Sequence, residues 1–259
     1  MKNYKIISYN VNGIRSAINK GLIAWLAVAQ PDIFCVQELK AEANTVDLAL
    51  FEQAGYNYNY IHTAIKKGYS GVGIFSKIQA DHIQIGCGIE RYDNEGRVIR
   101  ADYGDLSIMS CYFPSGSSSD ERQQVKFDFL RDFFELIQQL RKQRKKIIIV
   151  GDYNICHEEI DIHDPKANKD SSGFLPEERK WMSDFFASGF IDTFRTLHPD
   201  PNKYTWWSFR AGARPRNKGW RIDYQSVTEN LKDKIVSADI LMNVVHSDHC
   251  PTELVLKVH

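Results

Sequence analysis

Residues 146–154 of the chain read K-I-I-I-V-G-D-Y-N. The short run of Ile and Val predicts a strand, because branched apolar residues are enriched in strands. Asp152 and Asn154 follow the run directly. These residue types belong to the set that binds metals and moves protons, but they also favour turns. One such strand end is therefore only weak support for a functional site.

Four further apolar runs end in the same manner. They lie at residues 6–9, 33–36, 108–111 and 242–245, and the polar residues that follow them are Asn10, Asn12, Glu38, Tyr112, Asp248 and His249. In open α/β sheets, functional sites form where the carboxyl ends of strands meet. Five polar strand ends in one chain are therefore better explained by one shared site than by five unrelated turns.

Strand-like runs recur along the whole chain and interleave with amphipathic helical patterns. The predicted strands cover residues 4–9, 33–36, 71–76, 106–113, 146–150, 221–227, 239–245 and 253–258. The predicted helices cover residues 14–29, 45–54, about 120–142 and 176–187. Ser118 and Glu121 have the spacing of a capping box at the start of the third helix. No glycine-rich phosphate loop follows a strand, so we expect one layered α/β domain with mixed sheets over residues 1–259.

The composition excludes several classes of protein. Of the 259 residues, 43% are hydrophobic and 25% are charged, which is typical of globular proteins and unlike disordered or collagen-like chains. No apolar stretch approaches the ~20 residues of a membrane span. The five cysteines lack C-x-x-C spacing and the start of the chain lacks a signal peptide, so we expect reduced thiols in a cytoplasmic protein. Because 33 bases balance 33 acids, a purely electrostatic nucleic-acid binder is not indicated.

Residues 201–222, here called the basic aromatic segment, contain six bases and no acid. Such a block of charge is usually a solvated loop. This one also contains Trp206, Trp207 and Trp220. Indole rings are rarely left in a basic, glycine-containing loop unless something flat packs on them, although Trp207 alone is better explained by core packing.

The polar strand ends favour hydrolysis of a phosphate ester by an activated water. Glu38 is a lone carboxylate among amide side chains, which suits one hard cation such as Mg²⁺. Zinc is disfavoured because the histidines lack H-E-x-x-H spacing, and a serine hydrolase is disfavoured because no G-x-S-x-G occurs. Phosphate ester hydrolysis needs a metal, a base and donors for the phosphate oxygens.

Eight motifs in a fixed order carry a family resemblance. They are S-Y-N-V-N-G at 8–13, Q-E at 37–38, S-G-V-G at 70–73, E-G-R at 95–97, Y-F-P at 112–114, G-D-Y-N-I-C-H-E-E-I-D at 151–161, G-W-R-I-D-Y at 219–224 and S-D-H-C-P at 247–251. The chain resembles the exonuclease III family of apurinic/apyrimidinic (AP) endonucleases, bacterial type, essentially from end to end.

The resemblance implies a four-layered α/β sandwich of the endonuclease/exonuclease/phosphatase type, with two mixed β-sheets face to face and helices outside. It also implies Mg²⁺-dependent cleavage of DNA 5′ to abasic sites, with 3′→5′ exonuclease and 3′-end cleaning activity, and with Mn²⁺ able to substitute. The implied partner is double-stranded DNA with abasic sites or 3′ ends. The protein would act as a monomer and not at a membrane.

The resemblance also implies roles for individual residues. The metal ligands would be Glu38, Asn12 and Asp248. The catalytic residues would be Asp152, Tyr112, His249, Asn154, Asp223 and Asn10. Among these, Asp152 would activate the attacking water, and Asp223 would orient His249 toward a phosphate oxygen. Tyr112 would donate its phenol to the phosphate or leaving group, and the two asparagines would hold the water and phosphate.

A second group of residues would bind the DNA. Trp206, Trp220 and Ile222 would form an apolar pocket for a flipped-out sugar that lacks a base. The residues that would line the duplex are Arg15, Arg210, Asn168, Arg214, Arg216 and Lys218. Extrusion costs least where no base is stacked, so this pocket would give selectivity without reading sequence. Ser115 stands where relatives often carry Asn or Gln, Ser171 stands where they often carry Asn, and Asn12 stands where some carry Asp.

Two other classes of function stay open from the sequence. One is a phosphoesterase of the same fold that acts on inositol phosphates or sphingomyelin, which the tryptophans of the basic aromatic segment disfavour. The other is a catalytically silent DNA-binding module, which is disfavoured because Glu38, Asp152 and His249 are all present.

Overall fold

A computed structural model of the chain describes residues 3–199 and 202–258. Pro201, the first residue of the basic aromatic segment, lies outside them. The strands are β1 (Asn3–Asn10), β2 (Ile33–Gln37), β3 (Tyr58–His62), β4 (Val72–Ser76), β5 (His82–Ile85), β6 (Val98–Tyr103), β7 (Leu106–Tyr112), β8 (Lys146–Asp152), β9 (Phe190–Asp192), β10 (Asp223–Thr228), β11 (Ile235–Ile240) and β12 (Thr252–Lys257). The α-helices are α1 (Ile14–Asn19), α2 (Leu22–Ala29), α3 (Leu48–Gln53), α4 (Glu90–Asp93), α5 (Asp120–Gln143), α6 (Pro176–Ala187) and α7 (Thr193–Leu197).

The strands form two mixed sheets of six. One has the order β11-β12-β1-β2-β4-β3 and the other β5-β6-β7-β8-β10-β9. In each sheet the pair at the centre, β1 with β2 and β7 with β8, is parallel. The sheets pack face to face, because alternate residues such as Ile6 of β1 and Ile148 of β8 share one buried core.

The outer faces of both sheets are covered by helices. Ile147 and Ile149 of β8 point away from the shared core and pack with Phe129 of α5 and Met182 of α6. The outer face of β1 and β2 packs in the same way against α1 and α2. The layers therefore run helix, sheet, sheet, helix, and the predicted four-layered sandwich is confirmed. In the described part of the chain, no helix is long and apolar enough to cross a membrane.

Strand register brings the predicted polar residues to one end of the sandwich. Asp152 of β8 is paired with Tyr112 of β7 on one side and with Asp223 of β10 on the other. In the facing sheet, Asn10 of β1 is paired with Gln37 of β2. The Asn10 side chain crosses between the sheets and donates to Asp152 at 2.9 Å. The carboxyl ends of the four central strands thus meet, as the sequence predicts.

Several boundaries differ from the prediction. The strand expected at 239–245 is wrong: β11 ends at Ile240, and the following residues turn back so that Leu241 N–H bonds Pro251. The helix expected at 14–29 is two helices, because Gly21 between them has φ 98°. The cap of α5 is Ser119, whose hydroxyl accepts the Arg122 N–H at 3.2 Å, and not Ser118.

Candidate active site

A cavity of about 310 Å³ opens where the central strands end. Ten residues predicted from the sequence line it, namely Asn12, Glu38, Tyr112, Asp152, Asn154, Trp206, Trp220, Ile222, Asp248 and His249. Four other residues also line it: Lys40, Ser115, Ser117 and Ser172. Residues separated by more than two hundred positions in the chain therefore share one site.

Asn10 lies behind this cavity and is fully buried. Its Nδ2 donates to Glu38 Oε1 at 2.8 Å and to Asp152 Oδ2 at 2.9 Å. Its Oδ1 accepts the backbone N–H of Asn12 at 3.0 Å. Asn10 therefore holds the carboxylates of the two sheets at a fixed separation, and it does not line the space in which a water or phosphate would bind.

His249 and Asp223 form a buried pair, as the sequence predicts. The Nδ1 of His249 lies 2.8 Å from Asp223 Oδ2, and its Nε2 lies 4.0 Å from Asp152 Oδ2. Burial disfavours the charged ring, but Asp223, Asp152 and Asp248 outweigh burial and raise the pKa of His249 to about 10. The ring is therefore an imidazolium at neutral pH and presents a positive edge to the cavity.

Burial and neighbouring carboxylates disfavour the ionised form of Asp152. Burial, followed by the negative charges of Asp223 and Glu38, raises the pKa of Asp152 to about 8, although His249 acts against this. The backbone N–H of Asn154 donates to Asp152 Oδ1 at 2.8 Å and orients the carboxylate. A buried carboxylate with a pKa near neutrality can accept a proton from water, which suits a general base.

The oxygen donors around Glu38 fit a hard cation. The ammonium of Lys40 lies 2.7 Å from Glu38 Oε2 and 2.5 Å from Asn12 Oδ1, so a positive group already sits between two of the predicted metal ligands. Glu38, Asp152 and His249 can also offer one ligand atom each, and these three atoms lie within 4.8 Å of one another. An imidazolium is a poor ligand, so Glu38, Asp152 and the Asn12 oxygen are the donors that could hold a hard cation.

Asp248, the third predicted metal ligand, has other partners. Its Oδ1 accepts from Asn12 Nδ2 at 2.8 Å, and its Oδ2 accepts from the indole N–H of Trp206 at 3.1 Å. Burial opposes its ionisation, but His249 and these donors hold the pKa of Asp248 below its usual range. Asp248 therefore orients Asn12 and connects the cation site to Trp206.

Tyr112 lines the cavity with its phenol protonated. Burial and then the charge of Glu38 raise the pKa of Tyr112 well above its usual value. The guanidinium of Arg97 stacks on the ring, 4.7 Å from its centroid, and donates to the Tyr112 carbonyl at 3.1 Å. The hydroxyl can therefore act as a hydrogen-bond donor to an oxygen anion.

The backbone of the site is held in unusual conformations. Asn12, Glu38 and Asn154 have φ of 45°, 52° and 54°, in the left-handed region that Asn tolerates and Glu rarely adopts. Gly151 has φ 139°, and a Cβ there would lie 1.9 Å from the Cys111 carbonyl oxygen. Strained backbone of this kind clusters at functional sites. Here the strained residues lie at or just after the ends of β1, β2 and β8.

An aromatic pair forms the apolar end of the cavity. The rings of Trp206 and Trp220 meet edge to face, with centroids 5.9 Å apart, and Ile222 packs beside them. Behind Trp220 lies Gly173, where a Cβ would approach the indole to 2.9 Å. Trp207 is 1% exposed and belongs to a separate core cluster, as expected from the sequence.

The predicted DNA-lining residues divide into two groups. Arg15, Arg210, Arg216 and Lys218 are exposed and lie outside the cavity lining. By contrast, the guanidinium of Arg214 donates to the carbonyls of Met242, Val244 and Ser247 and stacks on Trp207.

Asn168 donates to the carbonyls of His163 and Asp164. Arg214 and Asn168 therefore hold neighbouring loops together through backbone carbonyls, and their contacts with DNA stay a prediction.

The sequence analysis missed Lys40, Ser117 and Ser172 as lining residues. Lys40 has φ 48° and lies two positions after Glu38, so the loop turns its ammonium back onto that carboxylate. A lysine after a strand is usually solvated, and the sequence carries no signal that this one is not. The two serines belong to polar loops in which hydroxyl-bearing residues are common.

Three comparisons with known proteins agree with one another. The profile described as "Endonuclease/Exonuclease/phosphatase family" matches residues 7–249. The exodeoxyribonuclease of Bacillus subtilis (strain 168) is 41% identical over 98% of this chain and 100% of its own length. The DNA repair nuclease APEX1 of Danio rerio is 35% identical over 99% of this chain and 83% of its own. The solved structure of an AP endonuclease from Archaeoglobus fulgidus superposes with a TM-score of 0.90 at 31% identity, and it covers 98% of this chain and 100% of its own.

Proposed function

The chain belongs to the endonuclease/exonuclease/phosphatase family, and on that premise we propose that it is a metal-dependent DNA-repair nuclease. It hydrolyses the DNA backbone on the 5′ side of abasic sites, and it removes nucleotides and blocking groups from 3′ ends. The observation that carries this proposal is the single cavity that contains both the Asp152–His249 group and the Trp206–Trp220 pair. One end suits phosphate hydrolysis, and the other offers apolar side chains to the carbon face of a sugar that lacks a base.

The residues of the cavity divide the work of hydrolysis. Asp152 accepts a proton from the attacking water, and Asn154 helps to orient that water. The imidazolium of His249 binds a non-bridging phosphate oxygen, and the phenol of Tyr112 donates to the phosphate or the leaving oxygen. Charge stabilisation by such preorganised donors is usually the largest contribution to catalysis.

The charge of the site supports a metal requirement. The carboxylates of Glu38, Asp223 and Asp248 outnumber the cations Lys40 and His249, and Asp152 adds a further negative charge when it ionises, so a phosphate approaches a centre with excess negative charge. Mg²⁺ held by Glu38, Asp152 and Asn12 would neutralise a phosphate oxygen, and Mn²⁺ would substitute because it accepts the same oxygen ligands.

The DNA substrate, the oligomeric state and the cellular location are proposed from the exposed bases, the cavity and the comparisons. The exposed bases Arg15, Arg210, Arg216 and Lys218 would bind the phosphates of double-stranded DNA and carry no sequence information. Every role in the proposed mechanism is taken by a residue of this one chain, so we propose that the protein acts as a monomer. The 41% identity to a bacterial exodeoxyribonuclease supports a cytoplasmic location beside the bacterial DNA.

The proposal is tested by incision of a labelled duplex that contains one abasic site. We expect strand cleavage at that site with Mg²⁺ or Mn²⁺ and none with EDTA, and no cleavage within the undamaged duplex. Inositol phosphates and sphingomyelin serve as competing substrates in the same buffer. Faster hydrolysis of either of these, or incision that persists in EDTA, would contradict the proposal.

The aromatic pair yields a prediction on selectivity. Trp220→Ala removes a half-buried ring, so we expect a small fall in thermal midpoint and a large fall in the ratio of abasic-site incision to degradation of an undamaged 3′ end. Trp207→Ala is the matched control. It empties a fully buried position, which typically costs about 3–5 kcal/mol of stability. If Trp220→Ala behaves like the control, with a low midpoint and an unchanged ratio, the ring belongs to the core.

A further inference from the structure

Lys126 on α5 is a fully buried lysine that no step of the proposed mechanism uses. Its ammonium donates to the backbone carbonyl of Asn154 at 2.7 Å and to Glu178 Oε1 at 2.5 Å. Glu178 on α6 is also fully buried. The pair therefore joins two helices of the outer layer directly to the loop that carries a cavity residue.

Glu178 ties a second loop to the same point. Its Oε2 accepts the backbone N–H groups of Gly173 at 2.6 Å and Leu175 at 3.0 Å. Gly173 backs onto the Trp220 indole, as described above, and its neighbour Ser172 lines the cavity. Gly173 also packs closely against the Asn154 carbonyl, since a Cβ at position 173 would lie 3.1 Å from that oxygen.

Stability alone does not account for an ion pair at this depth. Removing two charges from water is costly, and replacing a buried pair by neutral groups of similar size is often neutral or stabilising. The atoms that this pair holds are specific, however. They are the carbonyl of Asn154, whose backbone has φ 54°, and the two N–H groups that shape the wall behind Trp220.

We propose that Lys126 and Glu178 are positioning residues for this site. Lys126 fixes the peptide that follows Asn154, and Glu178 fixes the loop against which Trp220 packs, without either side chain touching DNA. This inference rests on the proposed function, because it assigns the pair to the geometry of that reaction. A displacement of about 1 Å in a catalytic group can cost about 10²-fold in rate.

The informative variant is the double substitution Lys126→Met with Glu178→Gln. The amide oxygen introduced at position 178 can still accept the Gly173 and Leu175 N–H groups. The amide nitrogen introduced there can donate to Gln123 Oε1, which has no hydrogen-bond partner among the described residues, once the Gln123 amide rotates. The group that loses its donor is then the Asn154 carbonyl. No buried charge is left without a counterion, so the double variant is expected to fold.

We expect the thermal midpoint of the double variant to stay near that of the wild type. Its kcat for abasic-site incision should fall by about 10–100-fold, with KM changed by less than about threefold, because a misplaced group lowers transition-state stabilisation more than binding. A double variant whose midpoint and kcat both match those of the wild type would overturn the inference, because catalysis would then not depend on the contacts of the pair.

A control separates positioning from a general loss of stability. Ile137→Ala empties a buried position on α5, in the core between that helix and its sheet, and leaves every contact of Lys126 in place. If the double variant is destabilised, it is compared with Ile137→Ala at a temperature where both are folded. Lower kcat in the double variant than in this control supports the inference, and equal kcat in the two overturns it.

The activity of the wild-type protein tests the proposed function separately from the role of the pair. A wild-type protein that incises no abasic duplex contradicts the proposed activity, whereas an active wild type with an unimpaired double variant contradicts only the role of the pair.

Discussion

Replacement of Asp152 by Asn is expected to lower the single-turnover rate of abasic-site incision by about 10²–10⁴-fold, the usual contribution of a positioned general base. The side chain keeps its size and can still accept one of the hydrogen bonds from Asn10 and Asn154. What it loses is the proton acceptor and one of the carboxylates that would hold the cation. Affinity for the duplex should hold or increase, because a negative charge that faces phosphate has been removed.

The measurement is a rapid-quench time course at saturating enzyme, paired with a binding titration in EDTA. Asp170→Asn is the matched control, since its side chain is 86% exposed and makes the same change of charge away from the cavity. A near-normal rate for Asp152→Asn would show that another group activates the water.

The pH dependence provides an independent check on Asp152. Burial and the neighbouring carboxylates raise its pKa to about 8, and only the deprotonated form can act as the base. The rate of the wild type should therefore rise with pH as Asp152 ionises. A bound cation favours the ionised form, so a higher Mg²⁺ concentration should move this rise to lower pH. The rise should be lost in Asp152→Asn.

Replacement of Glu38 by Gln is expected to have the second large effect. A metal that is bound through one or two carboxylates has little redundancy, so the Mg²⁺ concentration for half-maximal rate should increase by at least about tenfold. The variant also removes the carboxylate that binds Lys40, which leaves that ammonium free to move. Binding of duplex in EDTA should change far less than the rate.

The control for this substitution is Glu42→Gln, because Glu42 lies in the same loop region but is 43% exposed and pairs with Lys67. A Mg²⁺ titration of the incision rate for both variants decides the outcome. Unchanged turnover of Glu38→Gln at low Mg²⁺ would remove Glu38 from the metal site.

The central strands could be predicted because local sequence determines them. The runs at 33–36 and 146–150 are apolar and β-branched, and both become buried strands whose polar ends lie in the cavity. The edge strands β3 and β5 were missed because the first is half-buried and the second largely exposed, so neither has a continuous apolar run. The error at 239–245 has a related cause. Val244 and Val245 look strand-forming, yet both lie outside any strand and Val245 is 65% exposed.

The sequence predicted most of the residues that share the cavity, but it did not predict the contacts between them. The resemblance supplied Asp223 and His249, but only the structure shows the 2.8 Å bond between them. The bond between Asn10 and Asp152 spans 142 positions in the chain, a pairing that no local pattern encodes. Arg214 and Lys40 show the limit most clearly, because their roles depend on which carbonyls and carboxylates the fold brings to them.

The central claim is that this cavity hydrolyses the phosphodiester 5′ to a site without a base, and the chemical ends of the product test it most directly. The substrate is a duplex with one tetrahydrofuran abasic analogue, which cannot undergo β-elimination, incubated with Mg²⁺ in single turnover. The account predicts one cut, which leaves a 3′ hydroxyl that a polymerase extends and a 5′ phosphate on the fragment that keeps the analogue. A 3′ phosphate at the cut, or no cleavage of this analogue by an enzyme that nicks natural abasic DNA, would contradict it.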